Sequence, residues 1–442
     1  MKRYLFVFLL LAACSKKDQP VTPVPTGPVT QKEINNWMLD SMKYFYLWND
    51  QLPGNADTTL TATAFFAQLK NKDDRFSFLY KPADETTYPK YMLFIYGFDF
   101  SVIDGPDGVT GVVKLVIPGS VAALKGMQRG SYFTQINGTT LTADNAANLS
   151  NTLLQSGTSA SFTMADGKTI TLSAESLGEN PIYQQTTSII KGKVVAYLFY
   201  NYFNDIYNRA LIQTFQQFKA AGATELILDL RYNPGGSVAA AALINAMIAP
   251  DINEQNIFAK YSGNNHLGQR DISYKSALSV PESGAPVSFS DLSTGRLSLN
   301  RVFILSGAKT ASAAELTINS LKPYTTVIQI GEKTYGKDKG AVIIQDTRSP
   351  QRIPWALLPI TYNLLNSKAQ GGYSQGITPD YIADDMATQP LLPIGDQNDP
   401  LIAKAIAIIN GNNRQANVTT VKKRYYDAEE AAAEMNLVKI KR

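Results

Sequence analysis

Apolar residues recur at three- and four-residue intervals from Gln31 onward: Ile34, Trp37, Met38, Met42, Tyr46 and Leu47. That spacing paints one face of an amphipathic helix. The helical pattern runs to about Leu69 and includes a second short helix over Ala62 to Leu69, so residues 31–90 read as a small helical N-terminal cap. The character changes at residue 93. Strand-like runs at Val112 to Ile117, Tyr132 to Ile136, Ser161 to Met164 and Thr169 to Ser173 are separated by Pro118-Gly119, Asn137-Gly138 and Asp166-Gly167, the turn chemistry that punctuates strands. Short helices fit Val121 to Lys125 and Asp144 to Gln155. Residues 93–175 therefore form a β-rich domain.

From 178 to 390 strands and helices alternate. Val194 to Phe203, Glu225 to Leu230, Arg301 to Ser306 and Thr326 to Ile330 read as strands. Asn208 to Ala221, Ser237 to Met247 and Ser312 to Leu321 read as helices between and after them. Strand–helix–strand units of this length call for right-handed crossovers and a mostly parallel sheet. The fold class is α/β and multidomain. Residues 391–442 form a C-terminal helical tail, with one amphipathic helix over Leu401 to Ile409 and a basic, Ala/Glu-rich end without an assigned place.

Composition removes several function classes. The chain has 442 residues, 44% hydrophobic and 18% charged, a globular balance too long for one ordinary core. Net charge is +4 with no dense Lys/Arg stripe, so no nucleic-acid partner is expected. A single histidine, His266, and a single cysteine, Cys14, make neither HExxH nor a two-His zinc site. No metal and no cofactor are expected.

The first residues carry an address. Lys2 and Arg3 precede the apolar run Tyr4 to Leu11, and Leu11-Ala12-Ala13-Cys14 follows. A charged region, a short apolar stretch and a small-residue cleavage site make a signal peptide over 1–13. Cleavage before Cys14, with acyl chains added to it, is what a bacterial lipoprotein signal looks like. Residues 14–30 read as a lipidated, Pro-rich tether. The expectation is an exported lipoprotein of the cell envelope, held to the membrane by its lipid on the periplasmic face of the outer membrane or at the cell surface.

Two strand–turn–helix units carry candidate chemistry. In the first, Leu226-Ile227-Leu228-Asp229-Leu230-Arg231 runs into Tyr232-Asn233-Pro234-Gly235-Gly236 and a helix. Glycines there leave bare amides at a helix N-terminus, suited to an anion, though alone they are equally a tight turn. In the second, the strand ending at Ser306 leads through Gly307-Ala308-Lys309-Thr310-Ala311 to Ser312-Ala313-Ala314-Glu315. A serine at a helix N-terminus sits where developing negative charge is favoured. Locally, Ser-x-x-Glu before an apolar helix is also a capping box.

Past the strand Thr326 to Ile330 comes Gly331-Glu332-Lys333-Thr334-Tyr335-Gly336-Lys337, whose final lysine stands twenty-five positions after Ser312. The L-D-L-R-x-N-P-G-G turn, the [ST]-A-S-A-x-E segment and the G-E-x-T-x-G-K segment, in that order, resemble the C-terminal processing (tail-specific) serine protease family. Gly376-Ile377-Thr378-Pro379-Asp380 and the earlier Asp74-Arg75-Phe76-Ser77-Phe78 are similar to further family segments. The resemblance implies a crotonase/ClpP-like serine protease core and an endopeptidase acting on unfolded or C-terminally recognised polypeptides. It implies Ser312 as nucleophile, Lys337 as general base and Glu315 as the residue that orients the site. The oxyanion hole would come from the Ala313 amide and an amide of Gly235-Gly236. Spacing alone does not choose among Lys333, Lys337 and Lys339; the family's G-K match chooses Lys337. The family often carries Gln four residues after the Lys, where this chain has Ala341. A triad through His266 is the disfavoured alternative base.

Gly126-Met127-Gln128-Arg129-Gly130-Ser131, leading into Tyr132 to Gly138, resembles a PDZ domain of the bacterial protease kind, with Ser131 where Asp is usual. That implies peptide binding by strand addition, with the loop Tyr96-Gly97-Phe98-Asp99-Phe100 as the carboxylate-binding candidate. Asp99 would repel a terminal carboxylate there. A catalytically silent peptide- or polymer-binding surface lipoprotein with the same fold is the competing function, and oligomeric state is left open.

Overall fold

The computed structural model describes residues 27–88, 91–105, 108–174, 178–412, 423–427 and 438–439. Cys14, the signal segment and most of the tether lie outside the described residues.

The first helix, Gln31–Phe45, starts where the Thr30 side chain accepts the Glu33 N–H. It buries Met38 and Met42, two positions of the periodic stripe. The second, Ala62–Leu69, is capped by Thr61 and buries Phe65 and Leu69. Both helices pack in the same apolar cluster as Leu198, Phe215 and Ile244 of the α/β core. The expected cap over 31–90 is therefore continuous with the core: its two helices pack on each other and share the core's apolar cluster.

The central sheet runs in the order Tyr381–Ile382, Thr326–Gly331, Arg301–Ser306, Glu225–Asp229, Lys193–Tyr200, Ile182–Ile190. Its neighbours are parallel except the last pair. Glu225–Asp229 is buried along its whole length, which a central parallel strand covered by helices demands. Helices Val238–Ile248 and Ala313–Leu321 pack together, and every residue of each is buried. A second sheet, absent from the sequence reading, joins Gln269–Ser273, Ile257–Ser262, Ile360–Leu365, Lys339–Ala341 and Val438–Lys439. Its strands are short and interrupted by polar residues, so they carry little alternation to read.

The β-rich domain is a seven-stranded sheet with helix Ala146–Ser156. Its core joins Phe98, Phe100, Phe133 and Phe162 with Leu153 of that helix. One strand comes from far away: Arg424–Asp427 pairs antiparallel with Phe98–Gly105. The tail over 391–442 is thus corrected. Helix Pro400–Ile409 forms as expected, but the chain then supplies an edge strand to the β-rich domain. Four residues flanked by charge give no periodic signal.

A buried ionic cluster marks the seam between the β-rich domain and the core. Arg231 donates to Asp229, Asp385 and Asp399, and Arg129 of the β-rich domain reaches the same Asp385 at 2.7 Å. Paired in this way, each charge keeps partners that replace water.

Candidate active site

The strand Arg301–Ser306 ends against a loop that is fastened at several points. Gly307 N–H donates to Thr310 Oγ1, Thr310 Oγ1 donates to the Leu230 carbonyl, and Ala311 N–H donates to the Asn233 carbonyl. The loop delivers Ser312 at φ 60°, ψ −117°, outside the regions an L-residue favours. A residue held there is strained by roughly 1–3 kcal/mol. The segment has the outline of a capping box, yet only the return bond is made: Ser312 N–H donates to Glu315 Oε2 at 2.9 Å. Ser312 Oγ is buried and makes no hydrogen bond.

The Gly235-Gly236 turn abuts this serine. A Cβ at Gly235 would lie 2.5 Å from Ser312 Cβ and 2.9 Å from the Ala313 nitrogen, so only glycine fits between them. Asn233 shapes the turn, accepting the Gly235 N–H through Oδ1 at 2.8 Å and donating through Nδ2 to the Tyr200 carbonyl. The Gly235 amide is therefore occupied. Among the described residues no hydrogen bond takes the amides of Gly236 or Ala313.

Glu315 joins the Ser312 segment to the Lys337 segment. Its Oε1 accepts from Thr334 Oγ1 at 2.5 Å and Gly336 N–H at 2.7 Å. Its Oε2 accepts from Lys337 N–H at 2.7 Å besides Ser312 N–H. Burial pushes the carboxyl up to about 7 against these four donors.

Of the three lysines, Lys337 alone is fully buried. Lys333 is exposed, and Lys339 is paired with Asp338 at 2.6 Å. Lys337 Nζ has no hydrogen-bond partner and lies 5.3 Å from the Phe76 ring centroid. Phe76 clusters with Ala341, Leu358 and Ile360. Burial lowers the Lys337 pKa well below the ordinary range, Glu315 opposes this, and the Arg75 guanidinium adds to it. Ala341, in place of a polar residue, thus packs in the apolar cluster that contains Phe76.

The structure brings Ser312, Ala313, Glu315, Gly235, Gly236 and Lys337 together. It does not bring His266, which is exposed and stacks on Tyr44 at 5.2 Å. Nor does it make a carboxylate loop of residues 96–100. Gly97 caps the helix Met92–Tyr96 in the left-handed region, and Phe98, Asp99 and Phe100 are buried strand residues. The Asp99 carboxylate meets Lys309 of the loop before Ser312 at 3.0 Å, so its charge is neutralised and faces the core. Sequence reasoning missed Asn233 and Thr334. Each sits inside a quoted motif as a polar residue at a buried turn, the signal that could have found it. Thr334 also receives the Ile377 N–H at 2.6 Å, which ties in the Gly376 to Asp380 segment. Among the described residues no group of His, Cys, Asp and Glu could hold a metal ion.

The family model for Peptidase family S41 matches residues 194–383, and that for the Peptidase S41 N-terminal domain matches residues 33–78. A carboxyl-terminal-processing protease of Picosynechococcus sp. is 26% identical over 240 residues, 51% of this chain and 50% of that protein. The chloroplastic carboxyl-terminal-processing peptidase 1 of Arabidopsis thaliana is 22% identical over 281 residues, 61% of this chain and 52% of that protein. The chain spans about half the length of these curated relatives. A crystal structure from Bacteroides fragilis, described as an S41 protease, superposes with a TM-score of 0.69 at 25% identity, covering 89% of this chain and all of that one. Matched in its helical N-terminal segment and across its α/β core, the chain belongs to peptidase family S41.

Proposed function

We propose that the chain is a serine endopeptidase that hydrolyses unfolded or C-terminally recognised polypeptides through a Ser312–Lys337 dyad. The observation that carries this reading is the Glu315 carboxylate, which accepts from the backbones of both dyad residues, beside an amine whose charged form burial disfavours. A neutral Lys337 takes the Ser312 proton as Oγ attacks the scissile carbonyl. The Ala313 and Gly236 amides receive the developing oxyanion. The protonated amine then returns its proton to the leaving nitrogen, leaving an acyl-enzyme that water hydrolyses by the reverse sequence. Catalytic hydrogen bonds of this kind commonly tighten only around bound substrate, consistent with two unbonded partners at rest. No cofactor enters the scheme.

The β-rich domain is proposed to act as a PDZ-like module that takes peptide by strand addition, and the chain to be anchored in the cell envelope through Cys14. A catalytically silent binding protein is not favoured, since a helix cap needs neither a strained serine nor a buried lysine. A fluorophosphonate probe should label the wild type and spare Ser312→Ala. An unstructured reporter should be degraded in EDTA by the wild type only. Cleavage by Ser312→Ala, or abolition by EDTA, would overturn the dyad. Cys14→Ser should yield an uncleaved or soluble precursor; normal processing and membrane retention would refute the anchor.

A further inference from the structure

The strand Phe98–Gly105 is covered on one side by Gly108–Val116 and on the other by Arg424–Asp427, more than three hundred positions away in sequence. The late strand runs antiparallel with Tyr426 opposite Val102 and Asp427 opposite Ser101. It also packs against helix Ala146–Ser156, so it fills a channel between a sheet edge and a helix. Without it that edge would present a row of backbone donors and acceptors, a template for any extended chain.

The side chains read as a recognition pattern. Tyr426 is buried in the domain's core, its ring 5.5 Å from that of Phe100. Asp427 accepts from Ser101 Oγ at 2.7 Å and from Lys114 Nζ at 3.0 Å. Arg424 reaches out of the channel to Glu332 at 3.3 Å and Asp384 at 3.4 Å, both in the core. Glu332 lies in the segment that ends at Lys337.

We propose that this channel is a binding site for an extended polypeptide bearing an aromatic residue followed by an acidic one, and that residues 424–427 occupy it as a tethered competitor. The inference deepens the peptide-recognition part of the function proposed above and does not require Ser312 to be the nucleophile. The occupant is four residues long, its pairing shifts register between Arg424 and Tyr426, and its core contact is the buried Tyr426 ring with the half-buried Tyr425 packed beside it. A short tethered strand of this kind competes at an effective concentration on the order of millimolar. A free peptide then meets a site that is mostly filled, and its apparent affinity falls by the open fraction.

The test uses the full chain carrying Ser312→Ala, so that binding is read without cleavage. The probe is a fluorescent peptide with the sequence of residues 423–428, Lys-Arg-Tyr-Tyr-Asp-Ala. Adding Tyr426→Ala, or the milder Asp427→Asn, to the protein should tighten peptide binding at least tenfold. A peptide with Ala in place of the second Tyr should lose that binding, and Lys114→Gln in the protein should weaken it. Equal peptide affinity with and without Tyr426→Ala and Asp427→Asn would overturn the proposal. So would a lowered melting temperature with no gain in binding, which would make the late strand purely structural. Because the readout is binding, an inactive wild type would count against the protease reading and leave this inference to be decided separately.

Discussion

The ring of Phe76 lies 5.3 Å from Lys337 Nζ, across 261 positions of sequence. Phe76 is itself fixed by Asp74, whose Oδ1 accepts the Phe76 and Ser77 amides and whose Oδ2 accepts the Tyr46 hydroxyl. The N-terminal segment therefore supplies part of the wall that keeps water from the amine. Burial is the largest influence on the Lys337 pKa and lowers it, the Arg75 guanidinium adds to that, and Glu315 opposes it without prevailing.

Removing that wall should change the pH profile before it changes anything else. Phe76→Ala admits water, the Lys337 pKa rises toward 10.5, and the ascending limb of kcat should move alkaline. Below the limb, one unit is tenfold in rate. Phe76→Leu should retain a near-native profile. An unmoved limb in Phe76→Ala would remove Phe76 from the positioning of the base.

The same desolvation sets a stability trend. In the folded chain Lys337 titrates well below 10.5, while in the unfolded chain it holds its proton up to about 10.4. Between those values the unfolded state binds more protons, so this group's contribution to stability rises with pH across the window. Lys337→Met should therefore melt higher than wild type near pH 7, and the gain should shrink as pH approaches 10. Thermal melts at both pH values decide it; a constant difference would mean that the lysine is not neutralised by folding.

Glu315→Gln tests the strut between the two segments. An amide has one oxygen to accept with, and its NH2 would face N–H donors. Hydrogen bonds to a charged group are worth about 1.5–3 kcal/mol each. We expect kcat to fall on the order of a hundredfold, KM to change only a few-fold and the melting temperature to drop. A kcat within threefold of wild type would show that the strut is dispensable.

Ser312→Ala and Ser312→Gly should both abolish labelling and cleavage, but only glycine relieves the backbone at φ 60°, ψ −117°. Relief of roughly 1–3 kcal/mol is partly offset by about 0.5–1 kcal/mol from glycine's freer unfolded chain. Ser312→Gly should thus melt above Ser312→Ala. The reverse order would mean the serine is unstrained.

The central elements were legible because they obey one period at a time. Arg301–Ser306 and Tyr132–Ile136 form over the residues expected, since β-branched and aromatic runs bounded by turns leave little choice. Glu315 was legible as a partner of Ser312 because a helix brings residues three apart onto one face. Its bonds to Thr334, Gly336 and Lys337 were not, because they depend on the parallel pairing of Arg301–Ser306 with Thr326–Gly331. The misplacement of Asp99 has the same origin. Its partner Lys309 stands 210 positions away, and no local pattern announces a charge that a distant loop will neutralise.

Phe76 contributes one side of the Lys337 environment, and Glu315 fixes its backbone; the two reach it from separate stretches of chain. A nascent or half-folded polypeptide has the lysine in water, where it carries a proton and can accept none. On the proposed dyad, reactivity in this chain is consequently a late product of assembly. Its own unfolded segments, which would be suitable substrates, meet a competent nucleophile only after they have been packed away.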